Sequence, residues 1–189
     1  EGWMASEPYV FFVMLLSAFA IALSSTSISK EIDGRTGEFL FTTPLSRRTI
    51  FWAKAAAHFV QISLVFFIGI VVVLLLGSAI TKVTNTTGLF FVLLSGYFIA
   101  LASAGVGYAL SSLIDNERTA LSLGVGFVLL SFLFKTLAGL GGFINNLAKL
   151  SIFQLFDVLA ILKTNSFTFS SLAITCGLYL LGLVVGCEI

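Results

Sequence analysis

Apolar residues run along this chain in long unbroken stretches and do not alternate with polar ones. Residues 8–29 carry no charge, and neither do 55–81, counting His58 as neutral. The stretch 83–114 is also uncharged, apolar from about Leu89. A shorter run, 119–134, stops at Lys135, and 164–187 is apolar from about Ser171. A hydrocarbon core about 30 Å thick takes about 20 helical residues to cross. All but the 119–134 run meet that length. The short run suffices if Lys135 lifts its ammonium to the interface or the helix continues past it. Backbone in lipid must pair all its polar groups, which leaves helices or a closed barrel. Continuous runs without alternation select helices. The pattern predicts an all-α polytopic membrane helix bundle with five spans, near 9–28, 56–80, 89–113, 119–136 and 170–188. The chain 1–189 is then one transmembrane domain.

Composition agrees with that picture and narrows it. Of 189 residues, 58% are hydrophobic and 10% charged, against roughly 25% charged in an average soluble domain. Mean hydropathy is +1.09. These values exclude a soluble enzyme, a disordered chain and a nucleic-acid binder. Five spans leave no room for a soluble catalytic domain of about 100 residues. Any energy source belongs to another chain. Cys176 and Cys187 stand about 16 Å apart along one helix, too far to bridge within it.

Lysine and arginine bias sets the orientation. Segment 30–54 holds Lys30, Arg35, Arg47, Arg48 and Lys54, the densest basic cluster in the chain. It is placed in the cytoplasm, with residues 115–118. Residues 1–8, 82–88 and 137–169 then face outward. The N-terminus of this chain lies outside and the C-terminus inside. The stretch 137–169 has few charges and several glycines. Two readings of it stay open: short helices that dip into or cap the membrane, or an amphipathic helix on the outer surface.

Segment 29–54 is the most informative. Glu31 precedes Arg35 by four residues, a favourable helical ion-pair order. Gly34 and Gly37 break that helix. Phe39, Leu40 and Phe41 form a compact apolar knob. Thr43 before Pro44 is a good helix start, and a helix is expected from there through Trp52 into the second span. A helix, an elbow, an aromatic knob and a second helix can dock into a groove of another protein. Binding to anionic lipid would explain the bases and Trp52. It would not explain Glu31, Asp33, Glu38 or the glycines.

The pattern Glu31, Gly34, Thr36-Gly-Glu38-Phe-Leu, Pro44-Leu-Ser46-Arg47 and Lys54, set between two apolar spans, resembles the cytoplasmic segment of ABC-2-type transporter permeases. Where the family pattern has a Gly-Thr pair, this chain either inserts Arg35 between Gly34 and Thr36 or uses Thr36-Gly37 in inverted order. The resemblance implies a coupling helix between the first two spans seen here, seated in a cleft of a separate ATP-binding subunit. It assigns Glu31, Gly34, Thr36, Glu38, Pro44 and Arg47 to that coupling region. Phe39 and Leu40 join them through the knob. It implies two permeases, a homodimer or related pair, with two ATPases, and ATP and Mg bound in the partner and not here. It further implies a multi-pass protein of a prokaryotic plasma membrane. Such permeases have six spans with both ends inside, so an elbow helix and one further span are expected ahead of residue 1.

Other residues add little chemistry. No phosphate-binding loop and no metal-ligand cluster occurs, and no catalytic set is expected. His58, near Gln61, reads as an interfacial or helix–helix hydrogen-bond partner. Asp157 reads as solvated or paired with Lys149 or Lys163. No span carries a mid-membrane charge, which argues against ion-coupled transport and for an apolar or amphipathic substrate. Gly105 and Gly107, and the pair Gly182 and Gly186, allow close helix contact within the chain or between copies. The expected function is the permease of an ABC exporter. A non-transport sensor, anchor or assembly module holding a cytoplasmic partner is the alternative.

Overall fold

The computed structural model describes residues 2–30, 46–80, 86–137, 151–164 and 166–187. Six α-helices account for most of them: α1 (Gly2–Ser25), α2 (Arg47–Ile80), α3 (Thr86–Leu113), α4 (Glu117–Leu137), α5 (Val158–Thr164) and α6 (Phe169–Cys187). A 3-10 turn spans Ile152–Gln154. There is no strand among the described residues. α2, α3, α4 and α6 are each long and apolar enough to cross a membrane, and α1 adds a shorter apolar helix over Tyr9–Ser25. α4 runs through Lys135 to Leu137, so its length no longer falls short. The chain is an all-α membrane bundle.

The helix starts are written in single side chains. Asn116 caps α4, its Oδ1 accepting from Thr119 N–H at 3.1 Å. Asp157 caps α5, its Oδ1 accepting from Leu159 N–H at 2.9 Å and Ala160 N–H at 3.3 Å. Its carboxylate is therefore occupied by helix amides that have no partner inside the helix. α2 starts at Arg47 and not at Thr43. Ser46 lies outside the helix, and its Oγ accepts from Thr49 N–H at 3.2 Å. A serine whose hydroxyl takes the Thr49 amide leaves Arg47 as the first helical residue.

α3 is the hub. Within its most apolar stretch 61% is buried, against 11% for α2. α1 and α6 flank α3 and run parallel to it. Tyr9 meets Ser95 near one end of α1, and Ile28 meets Ser111 near the other. α2 and α4 run the opposite way, as Ser63 against Tyr97 and Phe11 against Phe132 show. Close approach rests on small residues. Gly105 and Gly182 face each other where α3 crosses α6, each against the other helix's backbone. Gly107 lies against Ser24 of α1, and Gly186 against the Phe51 ring of α2. Gly105, Gly107, Gly182 and Gly186 each lie against another helix of the same chain.

The described part of the stretch 137–169 folds back onto the bundle. Ile152, Phe153, Phe156 and Ile161 are buried. Ser151 Oγ donates to Ser131 O of α4 at 2.6 Å and accepts from Phe153 N–H at 3.2 Å. Phe167 meets Phe91, Phe98 and Phe156 edge-on, with centroids 5.1–5.8 Å apart. Aromatic edges on faces are favourable at such spacings. Residues 138–150 of that stretch lie outside the described set.

Candidate functional site

Among the described residues, the end of the bundle that carries both flanks of segment 31–45 gathers most of the inter-helix polar contacts. Glu31, Gly34, Thr36, Glu38, Phe39, Leu40 and Pro44 lie outside the described residues. Arg47 is the first residue of α2, with its side chain also outside them. What the structure does place are the two ends from which that segment hangs.

The first end is an elbow coded by the run Ser24-Ser-Thr-Ser-Ile-Ser29. Hydroxyls in such a run compete with the helix for its own carbonyls and bend it. Ser24 Oγ donates to Ala20 O at 3.0 Å, Thr26 Oγ1 to Ala22 O at 2.9 Å and Ser29 Oγ to Ser25 O at 3.0 Å. Regular helix stops at Ser25, a turn occupies 26–28, and helix resumes at 29–30. The elbow's amides are taken by α3. Ser111 Oγ accepts from Ile28 N–H at 2.9 Å, with longer approaches from Ser29 N–H and Ser27 Oγ at 3.4 Å. Ser27, Ser29 and Ser111 are all buried. From α2, Lys54 Nζ donates to Ser27 O at 2.7 Å. An ammonium on a carbonyl at the C-terminal end of a helix is the favourable polarity.

The second end is the first two turns of α2. Phe51 is buried, edge-on to Tyr108 of α3 with centroids 5.6 Å apart. About two turns further along α2, His58 Nδ1 is 3.2 Å from Tyr108 OH, and the two rings stack. His58 thus bonds across to another helix. Tyr108 is wholly buried, and Gly186 of α6 leaves room for the Phe51 ring. Trp52 is half exposed beside it, where an interfacial indole anchors a helix end. Around the gap between the two ends, Lys30, Ser46, Arg48 and Thr49 are exposed.

Sequence reading passed over Ser111, Tyr108 and the Ser24–Ser29 run. The run was legible as a dense hydroxyl cluster closing a span. Ser111 and Tyr108 carry no local signal, because their partners are 50 to 83 residues away.

A second feature lies deeper. Between α3 and α6, on the far side of the Gly105–Gly182 crossing, a cleft of about 160 Å³ is lined by Phe98, Leu101, Thr175, Cys176, Tyr179 and Leu180. Among the described residues, charged side chains of the long helices sit only in the first or last two turns.

These features define a polytopic membrane protein in which both flanks of segment 31–45 are held at one end of the bundle. The model of one known family, the ABC-2 family transporter protein, matches residues 4–185, and the chain belongs to that family. No match was found among the curated proteins or the solved structures. The protein is a multi-pass permease of the ABC-2 type, a transmembrane subunit and not itself the catalyst.

Proposed function

We propose that this chain is the permease subunit of an ATP-binding cassette exporter of a prokaryotic plasma membrane. It carries a hydrophobic or amphipathic compound outward with energy from a separate ATP-binding subunit. That partner holds ATP and Mg, and it docks on segment 31–45 through Glu31, Gly34, Thr36, Glu38, Phe39, Leu40, Pro44 and Arg47. A second permease copy and membrane lipid complete the surroundings. The observation that carries this reading is the anchoring of both flanks of the segment at one end of the bundle. A loop that merely connected two spans would have no need of a buried serine, a lysine and a tyrosine at its feet. A hydrophobic cargo is supported by the apolar lining of the α3–α6 cleft and by spans with no charge at mid-depth.

The test uses charge reversal, Glu38→Lys with Arg47→Glu, on the full chain. Capture of the ATP-binding subunit and its stimulated ATP hydrolysis should both fall sharply, while the variant still inserts in the membrane. If complex and stimulation are both unchanged, docking through this segment is wrong. Substrate-dependent hydrolysis in proteoliposomes, with accumulation inside inverted vesicles, distinguishes export from import.

A further inference from the structure

The two flanks of segment 31–45 do not end on different helices. They end on one face of α3, three residues apart. Ser111 takes the Ile28 amide of the α1 elbow at 2.9 Å, and Tyr108 takes α2 through Phe51 and His58. Residues three apart on a helix are neighbours on its surface. Lys54 closes the figure by joining α2 to the Ser27 carbonyl at 2.7 Å. α2, α1 and α3 are thereby tied at the feet of the segment, independently of the chain connections between them.

We propose that Ser111 and Tyr108 are positioning residues that take movement of segment 31–45 from both of its flanks into α3. The inference rests on the ATP-driven reading above and adds which helix receives the motion. Burial decides between the helices. α2 is covalently continuous with the segment, but little of its apolar stretch is buried, so it could swing without displacing much. α3 packs against α1, α6, α4 and the α5 region. Close-packed interiors transmit displacement because they have few voids to absorb it. A push delivered at Tyr108 and Ser111 reaches the Gly105–Gly182 crossing within one to two helical turns. The α3–α6 cleft lies directly beyond that crossing. Without the two contacts, the elbow could straighten or fray and the movement would dissipate at residues 26–30.

The first arm needs no partner. In lipid nanodiscs, hydrogen exchange is followed over residues 26–30. Ser111→Ala should speed exchange of the Ile28 amide roughly five- to tenfold, the protection that one hydrogen bond of ordinary net strength supplies. Ser111→Thr, which keeps the hydroxyl, should restore much of that protection. Equal exchange in the original chain and Ser111→Ala overturns the proposal.

The second arm uses the complex with the ATP-binding subunit, with Cys176 and Cys187 changed to serine. Spin labels at Ser46→Cys and Leu121→Cys report the foot of the segment. Labels at Phe90→Cys and Leu129→Cys report α3 against α4. A non-hydrolysable ATP analogue should shift both distances. With Ser111→Ala and Tyr108→Phe together, which keep the Phe51 ring contact but remove both hydroxyls, the first shift should persist and the second should fall by at least half. A second shift of undiminished size overturns the role of these residues and leaves the ATP-driven reading standing. No shift at the segment foot in the otherwise unaltered chain overturns both.

Discussion

Gly182→Ala is the sharpest probe of how this bundle is held together. A methyl placed at Gly182 meets the O, C and Cα atoms of Gly105, and one at Gly105 meets Leu178 O and lies 2.6 Å from Tyr179 Cα. Every obstacle is backbone, which cannot rotate away. Ordinary carbon contacts are about 3.5–4.0 Å, so α3 and α6 must part by roughly 1 Å. A gap of that size forfeits about a quarter to a half of the attraction at each contact along the crossing. Overpacking of this kind costs about 1–3 kcal/mol, offset by up to about 1 kcal/mol from the better helix propensity of alanine. The same helix supplies its own control. A methyl at Gly177 has nothing within 4 Å, so Gly177→Ala should be neutral or stabilising by up to about 1 kcal/mol. The two alanines, five residues apart, should therefore differ by roughly 2 kcal/mol. Reversible unfolding in mixed micelles, titrated with dodecyl sulfate and followed by circular dichroism, measures the difference. It should be the same at two protein concentrations tenfold apart. Coincident unfolding of the two variants refutes the crossing. A deficit that vanishes at high concentration places these glycines between copies and not within one.

Further substitutions test three separate contacts. Gly107→Ala crowds Ser24 Oγ and sits 3.0 Å from Ile21 O; Ser24→Ala should relieve part of the loss, with a coupling of about 0.5–1.5 kcal/mol in a double-mutant cycle. Ser95 Oγ donates to Val92 O and so accepts from Tyr9 OH at 2.7 Å. Tyr9→Phe leaves that serine satisfied and should cost about 1 kcal/mol, whereas Ser95→Ala strands a buried phenol and should cost about 1–3 kcal/mol. Equal losses in chemical unfolding would show that the bond runs the other way. Ser151→Ala removes both the bond to Ser131 O and the cap of the 3-10 turn, a loss of about 1–2 kcal/mol. Limited proteolysis should then cut 151–164 faster while the long helices survive; unchanged cutting counts against the docking of this stretch.

Much of the bundle is readable from single residues and their neighbours in the chain. Asn116, Ser46 and Asp157 cap helices through bonds to amides two or three positions on, so their signals are local. The misplacement of the α2 start at Thr43 has the same origin. Thr43-Pro44 and Ser46 are both good helix starts, and local chemistry alone does not rank them. Asp157 illustrates a related ambiguity, since a carboxylate near Lys163 can pair with a cation or cap a helix, and its Oδ1 accepts from the first amides of α5.

Length, apolar continuity and the scarcity of charge were enough to specify a helical membrane bundle, because lipid leaves the backbone no other way to pair its polar groups. The basic segment and its acid, glycine and proline pattern were enough to point to the family. Those are properties of stretches, and a linear chain displays them directly. Which helix sits at the centre was not displayed. α2 is the most apolar of the spans and the least buried, whereas α3, lower in hydropathy, is the hub. In lipid, hydropathy brings a helix into the membrane but does not draw it to the middle of a bundle. Packing does, through small residues that let backbones approach. Gly105 against Gly182, and Ser111 and Tyr108 against the feet of the segment, are pairings across 50 residues or more. They exist only once the helices have chosen their neighbours.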